Sequence, residues 1–519
     1  MPTALRNTVA VPLAVVLLAG AAFSTADLTR SGGILGQSVT MSLQGDPGEM
    51  YFLGISFNTG PTPLSLLDPS DPRSIDLGLD LLASWPSGTL DGSGQAVINA
   101  SIPATPGLQG LPFHSQFITL PGVATVVDEI SNLCSWVLGA PQTSTFTLAD
   151  HVDQIDGHTA TGLDDGSVLI AGGVVLNLLG NAVAIDDYHR FDAQTGAFEL
   201  ITTAQMTVAR TQHTATKLAD GRVLTLGGAD ENALVYASGE IFDPASGLST
   251  PIAAMLRKRV GHTATLLADG RVFVAGGTTN FDFSDPFGAL AAVLEQTEIY
   301  DPASNSWSPG PNLPKPRVLH SATRLGTGHV LITGGIEITT IFFIDTPDFS
   351  NSAVRYNPAT SSFVGTADFN GSRALHGQVT LPNGDALLAG GVDGNLIFMT
   401  FNTLSSCRRY DASANTWTNV ASMGVTRGLP NLIDAGGTII AIGGVKDFDL
   451  TTLSGAPAQE IEITTPSVLS WTQTATMLLP RALAISTLYD GGDRILTTGS
   501  GDNGSGGTIR DLTAEIHIP

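Results

Sequence analysis

The sequence predicts an all-β protein in which a small β-sandwich precedes a seven-bladed β-propeller. Three observations predict this fold class: a strand-and-turn unit that returns seven times, alternation of apolar and polar residues before the repeat, and a glycine-rich composition. The chain has 519 residues, of which 59 are glycine, while 42% are hydrophobic and only 13% are charged. This balance excludes a solvated disordered chain and favours a packed, turn-rich protein.

The net charge excludes two classes of function. The formal net charge is −24 at pH 7. A surface this acidic repels the phosphate backbone of nucleic acids and anionic lipid headgroups. We therefore expect neither nucleic-acid binding nor a peripheral membrane role.

The first 26 residues predict an exported protein. Arg6 is followed by an apolar run at 9–22 and by small residues up to Ala26. This order is typical of a secretory signal peptide, and the run is too short to cross a bilayer. We expect the mature protein in the periplasm or outside the cell, without membrane insertion.

Residues 27–141 predict the β-sandwich. Apolar and polar residues alternate at 39–44 and again at 98–102, and turns rich in Pro and Gly separate six or seven such runs. A period of two residues is typical of strands with one buried face. The segments PGEMYFLGISF (47–57) and IPATPGLQGLPFHSQ (102–116) resemble a module found at the ends of secreted proteins from environmental bacteria. This resemblance implies a bacterial, exported protein and no particular activity.

The repeat occupies residues 142–519. Its clearest copies are HTATGLDDGSVLIAGG (158–173), HTATKLADGRVLTLGG (213–228) and HTATLLADGRVFVAGG (262–277). Weaker copies begin at His320, His376, Pro430 and Ile485. Each unit predicts two short strands joined by a tight turn, a double glycine, a variable loop and a third strand. An aromatic residue such as Trp307 or Trp417 then begins a fourth strand.

The double glycine, a turn such as YDPAS (300–304) and the following Trp together resemble the kelch motif over about 370 residues. This resemblance implies the blades of a β-propeller. The last unit ends with its third strand, AEIHIP (514–519), and lacks a fourth. Upstream, Phe146 stands at the spacing of a fourth-strand aromatic residue. We therefore predict that Thr143–Leu148 closes the last blade.

Histidine and cysteine are the residues that suggest a metal site. Five histidines share one repeat position: His158, His213, His262, His320 and His376. Equivalent positions lie on a ring, which keeps the imidazoles too far apart for one ion, so we interpret them as a repeated hydrogen bond between blades. Cys134 and Cys407 lie in different predicted domains, and a core of this size does not need a disulfide between them. We expect no metal and no cofactor.

Six arginines are even more regular: Arg210, Arg259, Arg317, Arg373, Arg427 and Arg481. At the mouth of a central channel they would hold a carboxylate or a sulfate. Alternatively, they pair within the repeat with third-strand glutamates, because a buried charge requires a partner. The candidate partners are Glu240, Glu298, Glu460 and Glu515.

The loops after the double glycines are long, share one face of the predicted propeller and are unusually apolar. Candidate anchors for a partner are Phe283, Phe342, Phe343, Phe398 and Phe401. A large exposed apolar patch usually marks a contact surface. The alternative is that the loops are covered by each other or by the sandwich.

Among enzymes, the architecture resembles the galactose oxidase-like copper radical enzymes, which also carry a β-sandwich before seven blades. That resemblance implies two tyrosines and two histidines around copper and a cysteine linked to one tyrosine. Tyr188 and His189 are adjacent in a strand and point to opposite faces, and neither cysteine has a matching context. No HExxH or GxSxG motif is present. Acidic residues at 68–76 and 447–449 are typical of turns, with calcium as the alternative.

We predict a monomeric, exported, non-catalytic binding or scaffold protein. One face of its propeller contacts a protein or glycan partner. The alternative is a galactose oxidase-like copper oxidase or another propeller enzyme.

Overall fold

The computed structural model describes residues 26–66, 69–78, 86–121, 127–149, 151, 155–176, 181–281, 288–341, 344–451, 454–468, 470–481, 483–499, 501–502, 510–511 and 514–519. The chain is all-β, as the sequence predicts. Its described helices are short 3₁₀ turns at Leu64–Leu66, Pro106–Leu108, Gly288–Ala292 and Asp490–Gly492. No helix in these ranges combines the length and the apolar character needed to cross a membrane. The predicted signal peptide lies outside the described residues, except for Ala26.

Strands of the amino-terminal region form three sheets. The first contains Asp27–Gly32, Ser38–Gln44 and Gln95–Ser101. The second runs in the order Ser87–Thr89, Met50–Ser56, Pro112–Leu120 and Cys134–Val137, and the third pairs Thr59–Pro63 with Ser74–Leu77. In Ser38–Gln44 the apolar residues are buried and alternate with more exposed polar ones. The face-to-face packing of a sandwich stays a prediction.

The chain divides into two compact units. One comprises the residues up to Thr29, Ser42–Ile98 and Ser115–Leu133, and its own apolar core contains Leu77 and Ile118. The other comprises Arg30–Met41, Asn99–His114 and Cys134–Pro519. All the predicted repeats belong to this second unit.

The repeats form four-stranded antiparallel sheets, which we call blades. Blade 1 contains Thr159–Gly162, Val168–Ala171, Asp187–Phe191 and Phe198–Gln205; blade 2, Thr214–Lys217, Val223–Leu226, Gly239–Asp243 and Leu248–Pro251; blade 3, Thr263–Leu266, Val272–Ala275, Thr297–Asp301 and Ser306–Pro309. Blade 4 contains Ser321–Arg324, Val330–Thr333, Ala353–Asn357 and Ser362–Gly365; blade 5, Gly377–Thr380, Ala386–Ala389, Cys407–Asp411 and Thr416–Val420; blade 6, Asn431–Ala435, Thr438–Ile442, Glu460–Thr464 and Thr472–Thr476. Blade 7 contains Ile485–Tyr489, Arg494–Thr498, Glu515–Ile518 and Thr143–Phe146. The second strands, such as VFVA at Val272–Ala275, are fully buried and rich in β-branched residues, which suit a strand covered on both faces.

The blades follow one another in a closed series. The first strand of each blade contacts the first strand of the next, and the first strand of blade 7 contacts that of blade 1. In blade 7, Thr143 pairs with Ile518 and Phe146 pairs with Glu515. Ile516 packs in one apolar cluster with Val168 and Ile170 of blade 1. These contacts support the predicted ring of seven blades.

Several of the long loops contain strands of their own, which the sequence does not predict. These strands are Val174–Leu176 with Ala182–Ala184, Arg317–Val318 with Ile336–Ile341 and Ile344–Phe349, Val392–Asn395 with Thr400–Thr403, Val445–Asp449 with Ser454–Pro457, and Gly501–Asp502 with Arg510–Asp511. In an up-and-down blade, the link after the second strand and the link before the first strand lie on the same side. We call this side the loop face.

Candidate functional site

The double glycines allow the links of the loop face to approach each other closely. Gly227 and Gly228 have φ values of +63° and +87°, in the left-handed region that favours glycine. A Cβ at Gly227 would lie 2.5 Å from the carbonyl oxygen of Arg259, and one at Gly228 would lie 2.5 Å from that of Thr211. A larger residue would therefore displace the link that carries the arginine.

The six repeated arginines are buried structural residues, with exposed fractions of 1% or less. Each guanidinium group donates to the carbonyl oxygen of the first glycine of its blade; in blade 2, Arg210 Nη1 lies 2.8 Å from Gly227 O. Five of them also pair with a glutamate: Arg210 with Glu240, Arg259 with Glu298, Arg317 with Glu337, Arg427 with Glu462 and Arg481 with Glu515. Burial lowers the pKa of Arg427 and raises that of Glu515.

These contacts correct the interpretation of the arginines as an open channel mouth. Arg210, Arg259, Arg317, Arg373, Arg427 and Arg481 are covered, and groups of the protein itself accept their hydrogen bonds. Pairing within the repeat is confirmed for five of the six arginines, with one change of partner and one partner that was not predicted. Glu462 takes the place expected for Glu460, whose carboxylate lies 3.1 Å from Lys446 Nζ. Blade 4 uses Glu337, which belongs to a loop strand.

The repeated histidines join neighbouring blades, as the sequence predicts. His213 Nε2 lies 3.0 Å from the hydroxyl of Thr159 in blade 1, and His158 Nε2 lies 2.7 Å from Thr498 in blade 7. His262 and His320 contact the first-strand residues Thr214 and Thr263 in the same way as His213 contacts Thr159. His376 contacts the second-strand residue Thr333, as His158 contacts Thr498. Burial lowers the pKa of His213 to about 3 and that of His158 to about 4, so both imidazoles are neutral at pH 7.

Loops of blades 3 to 6 pack against each other on the loop face. Their buried residues form one apolar cluster, the loop cluster: Val318, Ile336, Phe349, Ala374, Val392, Leu396, Val445, Phe448 and Leu450. Phe401 packs against this cluster, with its ring centroid 6.3 Å from that of Phe349. Phe401 is therefore partly buried against the loop cluster, and its role as an anchor stays a prediction. Phe283, Phe342 and Phe343 lie outside the described residues.

The loop hairpin of blade 5 presents apolar side chains to solvent at its end. Ile397 is 74% exposed, Phe398 75% and Met399 50%; we call these three residues the hairpin tip. The Asn395 side chain accepts hydrogen bonds from the backbone N–H groups of Ile397 and Phe398, at 2.9 and 3.0 Å. Leu396, only 6% exposed, anchors the turn in the loop cluster. The tip is thus an exposed apolar group on a fixed turn.

The residues considered for copper do not fit a copper radical site. The hydroxyl of Tyr188 lies 3.1 Å from Ser249 Oγ, and its ring packs against Phe242. The neighbouring His189 faces His151 instead, at 4.9 Å between ring centroids. Cys134 donates to Gln194 and Cys407 to the carbonyl of Ser405. The side chains of Tyr188 and His189 therefore point to opposite faces of the third strand of blade 1.

The acidic residues act mainly in turns. Asp71 Oδ2 lies 2.8 Å from Arg73 Nη2, and the hydrogen bond from Arg73 lowers the pKa of the Asp71 carboxyl group. Asp449 accepts hydrogen bonds from the backbone and hydroxyl of Thr451. Among the calcium candidates, Asp68 lies outside the described residues. A different trio, Asp46, Glu49 and Asp128, has carboxylate oxygens within 4.8 Å of one another, and no sequence motif indicates it.

Comparisons with known proteins agree with the geometry. The family model of the kelch motif matches residues 259–314, within blade 3 and its flanking links. No curated protein sequence gives a significant match. A fungal alcohol oxidase of the AA5 family, in complex with copper, is similar in structure at a TM-score of 0.53 and 17% identity, covering 71% of this chain and 75% of that one.

A protein named YjhT is similar at a TM-score of 0.46 and 13% identity, covering 63% of this chain and 99% of that one. At 17% identity, the likeness to the oxidase shows a shared fold. Together with the kelch match at residues 259–314 and the repeated four-stranded sheets, it supports a β-propeller fold that contains a kelch motif and is similar to the fold of the AA5 alcohol oxidase.

Proposed function

We propose that this protein is an exported, non-catalytic binding protein whose hairpin tip inserts into an apolar pocket of a protein partner. One observation carries the proposal: Ile397 and Phe398 are about three-quarters exposed at the end of an otherwise packed loop layer. Large apolar side chains with this exposure are unfavourable in water unless a partner covers them. The tip therefore has a physical reason to bind.

The rigidity of the turn favours binding further. The Asn395 side chain accepts two backbone hydrogen bonds within the turn, and the buried Leu396 fixes its base. A preorganised loop loses less conformational entropy when a partner immobilises it. Phe398 is the central anchor, because aromatic residues dominate binding energy when they enter desolvated pockets.

The chemistry of the tip favours a protein over a carbohydrate. Ile397, Phe398 and Met399 have no side-chain hydrogen-bond donor, and the Met399 thioether is a poor acceptor. A sugar presents hydroxyl groups that lose water on binding and need new hydrogen-bond partners. An apolar pocket on a protein makes no such demand. The experiment must therefore distinguish protein binding from carbohydrate binding.

Export rests on the amino-terminal segment 1–26, with its apolar run at 9–22. Amino-terminal sequencing of the mature protein should give a start near Asp27, in protein recovered from the periplasm or the medium. An uncleaved chain recovered only from the cytoplasm would refute export.

The binding site is tested with the double variant Ile397→Ser/Phe398→Ser. Wild type and variant are screened against secreted and envelope proteins and against a glycan array. Losing a real anchor costs about 2 kcal/mol, so affinity should fall about 30-fold. The matched control is Leu248→Ser, which removes a 50%-exposed leucine from blade 2 and should leave binding unchanged.

Thermal melting separates a binding role from a structural one. Because the tip residues are exposed, the double variant should melt within a degree of wild type. A drop of many degrees would show that the protein itself covers these side chains. Unchanged affinity in the double variant, or glycan binding that depends on the tip, would also overturn the proposal.

The alternative is a galactose oxidase-like copper oxidase, and the fold shared with the AA5 alcohol oxidase supports it. The positions of Tyr188, Cys134 and Cys407 argue against it. Stoichiometric copper, a cysteine–tyrosine cross-link in the mass spectrum and peroxide formation from alcohols would establish the oxidase and refute the non-catalytic proposal.

A further inference from the structure

Blade 5 departs from the other blades at one charged position. This position lies on the third strand and pairs with the second-strand residue that stands two places before the double glycine. In blades 2, 3, 6 and 7 it is occupied by a glutamate: Glu240, Glu298, Glu462 and Glu515. Blade 4 has Val354 there and obtains its carboxylate from Glu337. In blade 5 the same position, opposite Leu388, is Arg408. Five blades carry a charged residue at this position, and only blade 5 carries a positive one.

The reversal leaves Arg373 without an acidic partner. Its Nη1 donates to the carbonyl oxygens of Gly390 and Ser406, and its Nη2 donates to the Ser406 hydroxyl at 2.9 Å. The side chain is fully buried. Its Nε has no hydrogen-bond partner, a feature that it shares with Arg210, Arg259, Arg317 and Arg427. Within the described residues, Arg373 forms no ion pair, whereas each of its five counterparts does.

A candidate for compensation is Asp393, which stands two residues after the double glycine as Glu337 does in blade 4. An aspartate is one methylene shorter than a glutamate. The Asp393 carboxylate accepts a hydrogen bond from Ser372 Oγ at 2.5 Å and forms no ion pair with Arg373. Its negative charge favours the charged form of Arg373.

The link beside Arg408 is adapted to a cation. In blade 6 the N–H of Gly424 donates to Glu462, and in blade 2 the N–H of Thr207 donates to Glu240. In blade 5 the carbonyl of Asn370 instead accepts from Arg408 Nε at 2.8 Å. Gly371, at φ +84°, follows this carbonyl, and a Cβ there would lie 3.6 Å from Arg408 Nη2.

An arginine thus stands at the position where blades 2, 3, 6 and 7 hold a carboxylate, and its charge acts unfavourably on Arg373. Arg408 Nη1 donates to the carbonyl of Cys407, and its Nη2 makes no hydrogen bond within the described part of the chain. Arg408 is partly exposed, so this edge is open to solvent. Burial, reinforced by the charge of Arg408, lowers the pKa of Arg373 to about 10. A buried charge without a counter-charge is strongly unfavourable.

We propose that blade 5 binds a small oxyanion, of the sulfate or carboxylate class, between Arg373 and Arg408. The anion takes the place of the glutamate that neutralises the equivalent arginine in blades 2, 3, 6 and 7. Guanidinium groups suit this ligand because their planar N–H pairs match the oxygens of carboxylates and sulfate. This site is independent of the hairpin tip.

The test is calorimetric titration of the purified protein with sodium sulfate at low ionic strength. Wild type should bind one sulfate per chain. Repeating the sulfate titration in the presence of sodium acetate shows whether a carboxylate competes for the same site. Arg408→Glu should abolish binding, since it restores the glutamate of the other blades. The control Lys258→Glu makes the same charge change at an exposed lysine and should bind as wild type does.

Stability gives a second readout. Arg408→Glu should melt at a higher temperature than wild type without added anion, because Arg373 gains a partner, and sulfate should no longer raise its melting temperature. Arg408→Gln, which keeps the site neutral, should weaken sulfate binding at least tenfold even if the glutamate variant fails to fold. No sulfate binding by wild type, or equal binding by wild type and both Arg408 variants, would overturn the proposal. The Ile397→Ser/Phe398→Ser protein should bind sulfate normally.

Discussion

Replacement of Ile516 by alanine tests the closure of the ring at the seam between blades 7 and 1. Ile516 is 3% exposed and packs with Val168, Ile170 and Phe191 of blade 1. The change removes three buried carbon groups, worth about 0.8 kcal/mol each, or about 2.4 kcal/mol of transfer free energy. The cavity left behind should raise the loss to about 3–4 kcal/mol.

The assay is equilibrium unfolding in urea, followed by tryptophan fluorescence. The control Leu248→Ala removes an exposed side chain from blade 2 and should change the free energy of unfolding by less than about 0.5 kcal/mol. If Ile516→Ala is no more destabilising than this control, blades 7 and 1 do not pack together in solution. The inference of a closed ring would then be wrong.

Three further predictions concern buried polar groups. Arg427→Ala leaves Glu462 buried without its partner at 2.7 Å, so the free energy of unfolding should fall by about 3–5 kcal/mol in the same assay; a loss below about 1 kcal/mol would refute a buried pair. Because the pKa of His213 falls to about 3 on folding, only the unfolded chain gains that proton as the pH drops from 6.5 towards 3. Stability should therefore decline by about 1.4 kcal/mol per pH unit for this histidine, and His213→Gln should show a slope shallower by that amount; an unchanged slope would contradict the lowered pKa. Cys134 and Cys407 are free, and burial raises the pKa of each thiol to about 11, so a thiol reagent should label neither in native protein and both in urea; native labelling would contradict their burial.

The repeated framework is the part that sequence predicts well. The double glycines and the tight turns recur at a regular spacing, and backbone geometry permits few other residues at Gly227 and Gly228. The position of Phe146 in the same spacing predicts a fourth strand for the last blade, and the structure pairs Phe146 with Glu515. Local pattern is enough for blades 1 to 6 because each is formed by one continuous segment, whereas blade 7 also needs the amino-terminal strand Thr143–Phe146.

The loop face is harder to predict because its packing joins distant parts of the chain. Phe398 and Phe401 are three residues apart in one hairpin, yet one is 75% exposed and the other packs beside Phe349 of another blade. No local pattern distinguishes them. Glu337 is similar, since it reaches Arg317 from a loop strand and not from the third strand. The sequence contains Arg408, but its contrast with the glutamates of the other blades appears only when the third strands are aligned with one another.

The most direct test of the binding role is site-specific photo-cross-linking at the hairpin tip. A benzophenone side chain is introduced at Phe398 in one sample and at Leu248 in another, because both positions are exposed. Each protein is irradiated in the secreted or periplasmic fraction of its host. We predict one predominant protein adduct from position 398, lost on competition with unlabelled wild type but not with the Ile397→Ser/Phe398→Ser protein, and no such adduct from position 248. The same adducts from both positions, or none from position 398, would contradict a binding role for the tip.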